Sequence, residues 1–555
     1  MIIVAGSVRS AWFAGGLRAV LAGSVTALSL VAGGVPAWGL EKPRYGGELN
    51  FMLPASDPPS YDAHREDTFA VLHPAAPHYS TLLKVDPADP AATRLVGDLA
   101  ESWSVSADGR VYTLKVRRGV KFHDGSDCTS RDVKASYDKI MNPPPGVTSA
   151  RKGEYAHVEA VETPDAHTVV FRLKWPSGSF LSALASPWNW IYKADILAKD
   201  IHWYEKNVMG TGPFTFVEHV KGSHWIGRKN PSYWDRGRPY LDGYRMLIVR
   251  EPAAQVAAIR SERAHIQFRG FTPGERDTLI QALGPRVTVQ ESPWNCHALL
   301  AFNHEKKPFD DKRVRRALTL AIDRWEGSRV LSRIAIVKEV AGLMVPGSPW
   351  ATPPAELQKL AGYGRDTTAA RAEARRLLKE AGVAEGFGFT LTATGVRQPF
   401  EPIAVWLIDQ WRAVGLNVTQ DVPERARYYE KLRNGGYQVT FDPKCGYIVD
   451  PDLDLQKFQS GPTTADPTGI SDANYARYKD AVLDDLYVRQ SRARSVEERK
   501  RHLREFERRL LDEEAHYATT LQWHRIVPHG SRVRGWTLTP SHYVNHQLDT
   551  VWLAE

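Results

Sequence analysis

The sequence predicts an α/β protein of two or three domains. The chain has 555 residues, 43% of them hydrophobic, so it can bury a large core, and typical domain sizes divide this length into two or three units. Between Phe389 and Phe441 strand-like and helix-like segments alternate, which predicts a βαβαβ unit with a parallel sheet. Elsewhere, short alternating segments separated by turn residues predict antiparallel hairpins.

The first residues have the composition of a secretory signal peptide. Arg9 and Arg18 carry the only charges of residues 1–38, and the segment 19–35 is mostly apolar or small. The sequence VPA at 35–37 offers small residues before a cleavage site, so we expect residues 1–38 to be removed after export. A single membrane anchor is the alternative, although the apolar run is shorter than the ~20 residues that a span needs.

Charge and cysteine content exclude some classes of protein. The formal charge of +8 falls to +6 without Arg9 and Arg18, and basic residues are interleaved with acidic ones, which does not favour nucleic-acid binding. The three cysteines, Cys128, Cys296 and Cys445, lack the spacing of a structural zinc site. In an oxidising compartment their odd number leaves one unpaired.

The longest recognisable pattern runs from Leu99 to Met141. Two alternating segments around the turn ADGR predict a β-hairpin. After the turn FHDG, Thr129 and Asp132 have the spacing of a capping box and predict the start of a helix. The prolines that begin at Pro143 end this helix.

Further along the chain, GTGPF at 210–214 begins a strand region, and its proline argues against a phosphate-binding loop. The segment 303–324 has apolar residues on one helical stripe, with Asp310 or Asp311 as the cap. The segment 522–553 returns to alternating, aromatic-rich sequence and predicts further strands.

The order of hairpin, GVKFHDG turn and SRDV helix, followed by GTGPF, NPSYW and PFDDKRVRRAL, resembles the signature of the extracytoplasmic solute-binding proteins of family 5. These are the peptide/nickel-type proteins that feed ABC importers, and the resemblance covers nearly the whole mature chain. It implies a two-lobed periplasmic binding protein fold (type II, cluster C-like) with an extra subdomain in the first lobe. The implied first lobe is 41–72, 206–295 and 525–555, the extra subdomain 73–205, and the second lobe 296–524.

The resemblance also implies a disulfide and a departure beside it. Cys296 and Cys445 stand where some oligopeptide-binding relatives carry a disulfide, which would leave Cys128 free; two inert buried thiols are the alternative. Those relatives hold a free ammonium with an Asp two residues after the second cysteine. This chain has Tyr447 there, and a neutral phenol cannot replace the charge-assisted bond of a carboxylate. Ligands other than ordinary peptides therefore stay open.

Other candidate residues lie at the two predicted crossings between lobes and in the second lobe. Trp294 and Asn295 precede the first crossing, and Trp523 and His524 lie at the second. Arg425 opens a helix where relatives contact ligand and could clamp a carboxylate, whereas a solvated arginine is its alternative. The candidates for ligand binding are Trp294, Asn295, Arg425, Tyr447, Asp450, Trp523 and His524, and Asp450 is also expected to cap a helix.

No pattern in the chain indicates catalysis or a metal. The 18 histidines are dispersed, and the HxxxH at 542–546 lies in strand-like sequence without the glutamate of a zinc protease. His73 and His78 form no better ligand pair, and neither a nucleophile elbow nor a Walker loop occurs. We therefore predict no catalytic residue, no metal and no cofactor.

The predicted function is that of a periplasmic binding protein without chemistry of its own. It captures a peptide-like or carboxylated small solute and delivers it, as a monomer, to permease subunits of an ABC transporter in the inner membrane. The same fold binding an opine, a glycan or a nickel chelate is the first alternative. A secreted hydrolase that uses a carboxylate pair is the second.

Overall fold

The computed structural model describes residues 41–462, 471 and 473–555. The predicted signal peptide at 1–38 lies outside the described residues. Pro43–Glu555 form one unit built around three large sheets, here called sheets I, II and III. In the described ranges, no helix is both long and apolar enough to cross a bilayer.

Sheet I is mixed and contains the first strand of the chain. Its strand Glu48–Leu53 pairs in parallel with Gly243–Ile248 and with Ile266–Gln267. Alternation along Glu48–Leu53 puts Leu49 and Phe51 in one apolar cluster and Met52 in another, so both faces are covered. The strand order is Ile266–Gln267, Glu48–Leu53, Gly243–Ile248, His224–Lys229, Phe214–Val220.

Sheet II is antiparallel and contains the predicted hairpin. Ala100–Val105 pairs with Val111–Val116, which confirms that prediction. The capping box is confirmed as well, because the backbone N–H of Thr129 donates to the Asp132 carboxylate at 2.8 Å. The helix that it opens is Ser130–Met141, which ends before the prolines. The strand order is Ala100–Val105, Val111–Val116, Thr168–Leu173, Val158–Asp165.

Sheet III contains the predicted parallel unit and two long antiparallel strands. Gly388–Thr392 pairs in parallel with both of its neighbours, which confirms the βαβαβ prediction. The connecting helices are Phe400–Arg412 and Arg425–Asn434. The strand order is Asn417–Asp421, Gly388–Thr392, Val439–Cys445, Val287–Phe302, Tyr517–Gly530.

The two long strands run from sheet III towards sheet I. Val287–Phe302 and Tyr517–Gly530 pair over most of their length, with register shifts between Pro293 and Leu299. On the sheet I side of the shifts, Ile526 accepts a backbone hydrogen bond from Phe271 at 2.8 Å. On the other side, Val287–Phe302 also pairs with Val439–Cys445 of sheet III. The irregular register therefore lies where the strand pair passes from one half of the protein to the other.

Two details differ from or refine the sequence expectation. Asp311, not Asp310, caps the helix Lys312–Leu320 and accepts from the backbone N–H of Arg313 at 2.8 Å. The prediction of strands throughout 522–553 is wrong, because 535–551 is irregular. Its aromatic residues pack as side chains against other elements, and positive φ angles at Asn545 and Leu548 break an extended backbone.

The remaining elements complete the halves around the sheets. Two small sheets pair Leu83–Val85 with Leu95–Gly97 and Val533–Arg534 with Trp552–Leu553. The other helices are Phe69–Ala75, Phe180–Leu184, Ala194–Lys199, Pro252–Arg260, Pro273–Leu283, Arg324–Leu331, Pro354–Leu357, Thr367–Glu380, Pro451–Leu455, Ala481–Arg492 and Val496–Arg508.

Candidate ligand-binding site

Two tryptophans meet where the long strands cross between the halves. The rings of Trp294 and Trp523 lie edge to face with centroids 5.5 Å apart, and both side chains are buried. Phe400, at the start of a sheet III helix, packs against Trp523 with ring centroids 5.5 Å apart. The structure thus brings together Trp294 and Trp523, two candidates from the sequence. The Nε1–H of Trp523 has no hydrogen-bond partner in the part of the chain described.

An arginine that the sequence did not single out lies between two aromatic rings at this crossing. The guanidinium carbon of Arg269 is 5.3 Å from the ring centroid of Trp294 and 5.3 Å from that of Phe69. Its Nε is buried without an acceptor among the described residues. Arg269 follows the short strand Ile266–Gln267 of sheet I, and Phe69 begins the helix Phe69–Ala75. Trp294 lies on the crossing strand Val287–Phe302. Three separate elements therefore position the guanidinium of Arg269.

A second buried arginine lies beside the first. Arg525 donates to the backbone carbonyl oxygens of Phe268, Thr539 and Arg269, and its guanidinium carbon is 5.8 Å from the ring centroid of Trp294. Burial, together with the charge of Arg269, lowers the pKa of Arg525 to about 9. Burial also lowers the pKa of Arg269. We call Phe69, Arg269, Trp294, Arg525, His542 and Tyr543 the Arg269 cluster.

The Arg269 cluster holds positive charge without a counter-ion. Within the described residues, no carboxylate forms an ion pair with Arg269 or Arg525, and the pKa of about 9 keeps Arg525 charged at pH 7. The neighbouring histidine His542 does not add charge, because burial holds its pKa well below the usual value. A buried cation is costly unless it is paired, so this arrangement favours an anionic ligand.

The histidines near the cluster pack as rings. His73 stacks on His546 with centroids 4.1 Å apart, and each ring donates its Nε2–H to the backbone oxygen of His542. His78 contacts the backbone oxygen of Phe214 at 2.8 Å instead. In the described ranges, no group of three or more His, Cys, Asp or Glu side chains is arranged to hold a metal ion.

Tyr447 contacts a carboxylate from a distant segment of the chain. Its hydroxyl donates to Glu154 Oε2 at 2.5 Å. Burial raises the pKa of Glu154 to about 7, although the bond from Tyr447 and the charge of Arg151 oppose this effect. Burial and the neighbouring Glu154 likewise raise the pKa of Tyr447. Tyr447, which stands where some relatives have an Asp, is therefore hydrogen-bonded to the carboxyl group of Glu154.

A disulfide ties the segment of Tyr447 to the crossing strand. Cys296 and Cys445 are joined, with Cα atoms 4.1 Å apart, and Cys128 is a free, buried thiol. Next to the bridge, Asn295 donates through Nδ2 to the Ile448 carbonyl at 3.0 Å. These bonds position Asn295 and Tyr447 close to the crossing point.

Asp450 takes part in a buried ion pair. Its carboxylate lies 2.6 Å from the guanidinium of Arg499, and it also accepts from Ser182 Oγ at 2.9 Å. It caps the helix Pro451–Leu455 through the backbone N–H of Asp452, as expected.

The two remaining candidates make no described contact with Arg269. His524 lies between Glu291 and Glu339, with N–O distances of 3.0 and 3.2 Å, and these hydrogen bonds raise its pKa despite burial. Arg425 is exposed at the start of its helix, and no described contact joins it to the cluster.

Sequence reasoning missed Phe69, Arg269, Arg525, Tyr543 and Glu154. These residues are far apart in the chain and belong to no spaced motif, so their grouping is visible only after folding. A surface cavity of about 680 Å³ lies between the helix Ser130–Met141 and the strand Val158–Asp165, and Gly153 and Tyr155 are among its lining residues. Its lining mixes both signs of charge and gives no comparable indication of a ligand.

Two halves joined by a pair of long strands, with Arg269 held between aromatic rings at the crossing, have the arrangement of a two-part binding protein. Residues 94–466 match the family described as bacterial extracellular solute-binding proteins, family 5, middle. The chain belongs to this family of solute-binding proteins. Membership confirms the family, the two-lobed fold and the binding function that were predicted.

Individual relatives cover most of the chain. Di/tripeptide-binding protein 2 of Pseudomonas aeruginosa is 29% identical over 389 residues, which are 65% of this chain and 70% of the relative. A glutathione-binding protein of Salmonella choleraesuis is 30% identical over 60% of this chain and 62% of its own. The periplasmic binding protein DppA of Helicobacter pylori, solved with the peptide STSA, is 25% identical with a TM-score of 0.74, covering 92% of this chain and 99% of its own.

Proposed function

We propose that this protein is the periplasmic solute-binding component of an ABC importer, and that it captures a peptide-like solute through a carboxylate that pairs with Arg269. The unpaired guanidinium between Phe69 and Trp294 carries the proposal. A carboxylate can accept two parallel hydrogen bonds from a guanidinium, which suits the planar group held between two rings. The names of the peptide- and glutathione-binding relatives support the same class of ligand.

Both halves of the protein contribute to the proposed site. Arg269 and Phe69 come from the sheet I side, Trp523 and Trp294 from the crossing strands, and Phe400 from a sheet III helix. A ligand that contacts all of them favours the closed arrangement of the two lobes, because only that arrangement offers the full set of contacts. Micromolar affinity needs about −8 kcal/mol, which one charged pair, an aromatic platform and a few hydrogen bonds can supply.

The lobe boundaries and the cellular setting are part of the proposal. The first lobe is taken as 41–72, 206–295 and 525–555, the extra subdomain as 73–205 and the second lobe as 296–524. A cleaved signal peptide at 1–38 would deliver a monomer to the periplasm, where the closed form docks on permease subunits of the inner membrane. The passage of both long strands near residues 296 and 524 supports these boundaries.

The charge of the site discriminates among the alternative ligands. A neutral glycan offers no counter-ion for Arg269, whereas an opine or a carboxylate-bearing chelate does. The test is native mass spectrometry of protein recovered from the periplasm, followed by thermal-shift measurements with a mixture of unmodified dipeptides and with the same mixture amidated at the C-terminus. We expect retention of a carboxylate-bearing solute and a shift with the free dipeptides only. Equal shifts with both mixtures, or retention of a neutral oligosaccharide, would overturn the proposal.

A further inference from the structure

We propose that the imidazolium of His524 is a pH-sensitive clasp between the two predicted lobes, so that solute capture weakens when His524 loses its proton. The inference rests on the proposed function, because it assigns a control of lobe closure to a residue that makes no described contact with Arg269. The groups that form the contact are His524, Glu291 and Glu339, which we call the His524 clasp.

His524 lies between two carboxylates. Its Nε2 is 3.0 Å from Oε2 of Glu291, and its Nδ1 is 3.2 Å from Oε1 of Glu339. The ring is buried, with 6% of its side chain exposed. Only the protonated imidazolium has an N–H on both nitrogens and can donate to both carboxylates at once. A neutral ring keeps one donor and presents a lone pair to the other carboxylate.

Glu291 is held on the sheet I side of the protein. It lies on the strand Val287–Phe302 and accepts from Nη1 of Arg276 at 2.7 Å. The helix of this arginine, Pro273–Leu283, packs in one apolar cluster with Met52 of sheet I. A movement of the sheet I half therefore carries the carboxylate of Glu291 with it.

Glu339 is held on the sheet III side. Its backbone oxygen accepts from the N–H of Gln522 at 2.9 Å, and the backbone oxygen of Ile336 accepts from the N–H of His524 at 2.8 Å. Ile336 packs in the apolar cluster that includes Leu391 of sheet III. In the described ranges, His524 is the only side chain hydrogen-bonded to the Glu339 carboxylate. The imidazolium thus joins groups from the two halves.

The His524 clasp lies where the pairing of the two crossing strands becomes irregular. Regular pairing runs from Val287 opposite Gly530 to Pro293 opposite His524, and a register shift follows between Pro293 and His297. A break in a regular ladder lets a strand pair bend, because fewer hydrogen bonds hold it straight. A side-chain contact between the halves at this point resists such bending.

The described arrangement also brings the predicted lobes into contact away from the crossing. The backbone N–H of Gly178, in the predicted extra subdomain, donates to the backbone oxygen of Ser491 at 2.7 Å. The hydroxyl of Tyr447 donates to Glu154 of the same subdomain at 2.5 Å. Because the His524 clasp is formed in this arrangement, it favours closure of the lobes over opening.

The surroundings of His524 favour the protonated ring. Burial favours the neutral form, but the hydrogen bonds to Glu291 and Glu339 outweigh it and raise the pKa of His524 above 6.5. The His524 clasp is therefore complete below pH 6.5 and is lost as the pH rises through the raised pKa. Closure that forms the clasp takes up a proton for the same reason. The charged groups that face the ring are Glu291 on the neighbouring strand and Glu339 and Lys338 on the segment beside it, and Arg276 acts through Glu291.

The test measures the affinity of the full mature protein for one dipeptide retained from an unmodified mixture, by calorimetry between pH 6 and pH 9. Wild-type binding should weaken by about 5- to 30-fold over this range, because one charge-assisted hydrogen bond between partly exposed groups is lost. His524→Gln has no titratable ring, so its affinity should depend less on pH by the same factor. Glu154 and the amine of the dipeptide titrate in this range in both proteins, so the difference between the two pH profiles carries the test.

Proton uptake gives a readout that a purely structural role of His524 would not change. Calorimetry at pH 7.5 in phosphate and in Tris should show more protons taken up on binding by the wild type than by His524→Gln. A ring that stays bonded to both carboxylates in the open and the closed form would give equal uptake. Equal uptake therefore overturns the proposal.

Two further variants identify the groups involved. Glu339→Gln removes the carboxylate on the sheet III side and should reduce the pH dependence as His524→Gln does, which keeps the test available if His524→Gln fails to fold. His202→Gln is the matched control, because His202 is an exposed histidine whose carboxylate partner, Glu205, belongs to its own turn. It should leave the wild-type pH profile unchanged.

The outcomes distinguish this inference from the proposed function. A His524→Gln profile that matches the wild type overturns the His524 clasp, whereas the binding of dipeptides, and with it the proposed function, stands. If no dipeptide is retained, the proposed function fails, and small-angle X-ray scattering of the ligand-free proteins decides on the clasp. The wild type should then expand from pH 6 to pH 9 more than His524→Gln does, and equal expansion overturns the inference.

Discussion

Replacement of Arg269 by methionine should separate ligand binding from stability. Methionine has a similar length and fills the space between Phe69 and Trp294, but it cannot pair with a carboxylate. A ligand carboxylate buried without its partner costs about 2 to 5 kcal/mol, so Arg269→Met should weaken binding of free dipeptides by about 30-fold to a few thousand-fold.

The unliganded protein should tolerate the same change. Contacts of the guanidinium with two rings stabilise by about 1 to 2 kcal/mol in total, and removal of an unpaired buried cation beside Arg525 offsets that loss. We therefore expect a net change of at most about 1 kcal/mol in the free energy of unfolding and a shift of the unfolding midpoint of at most about 3 °C.

The assay is thermal unfolding with and without the dipeptide mixture, followed by calorimetry with one retained dipeptide. Arg425→Met is the matched control, because Arg425 is exposed and makes no described contact with the cluster. It should leave both affinity and midpoint unchanged. If Arg269→Met binds within threefold of the wild type, or if Arg425→Met loses binding instead, the assignment of the carboxylate site is refuted.

Three further predictions concern stability. Burial raises the pKa of Glu154 from 4.5 to about 7, so the folded state binds the carboxyl proton more tightly than the unfolded state does. The free energy of unfolding of the wild type should therefore fall by up to about 3 kcal/mol as the pH rises from 4.5 to 8. Urea titrations of Glu154→Gln should lack this loss. Replacing Cys296 and Cys445 by alanine opens a loop with a sequence separation of 149 and should cost up to about 5 kcal/mol in urea unfolding, so an unchanged midpoint would contradict a stabilising bridge. Arg499→Met leaves the buried Asp450 unpaired and should cost about 3 to 5 kcal/mol without a change in ligand affinity; weakened binding in the folded variant would instead assign Asp450 to the ligand site.

Several elements could be predicted from the sequence because they depend on neighbouring residues. The capping box of Thr129 and Asp132 and the hairpin before it follow from side chains a few positions apart. The parallel unit of sheet III follows from alternating periodicity. Strands were wrongly predicted in 535–551, because buried aromatic residues occur in irregular segments as readily as in strands when other elements cover them.

The candidate site was predictable only in part. Trp294 and Trp523 could be singled out because they stand at the crossings implied by the family pattern, and the structure brings their rings into contact. Asp450 could be recognised as a helix cap from its neighbours, but its ion pair with Arg499 joins elements far apart in the chain.

By itself, the sequence determined the local elements, the family and hence the two-lobed architecture of a solute-binding protein. Only the tertiary structure decided which charges are left unpaired. Arg269 and Glu154 look like many other charged residues in the sequence, which contains 72 basic and 64 acidic side chains. Whether a charge has a partner depends on burial and on contacts between distant segments, and no local pattern encodes either.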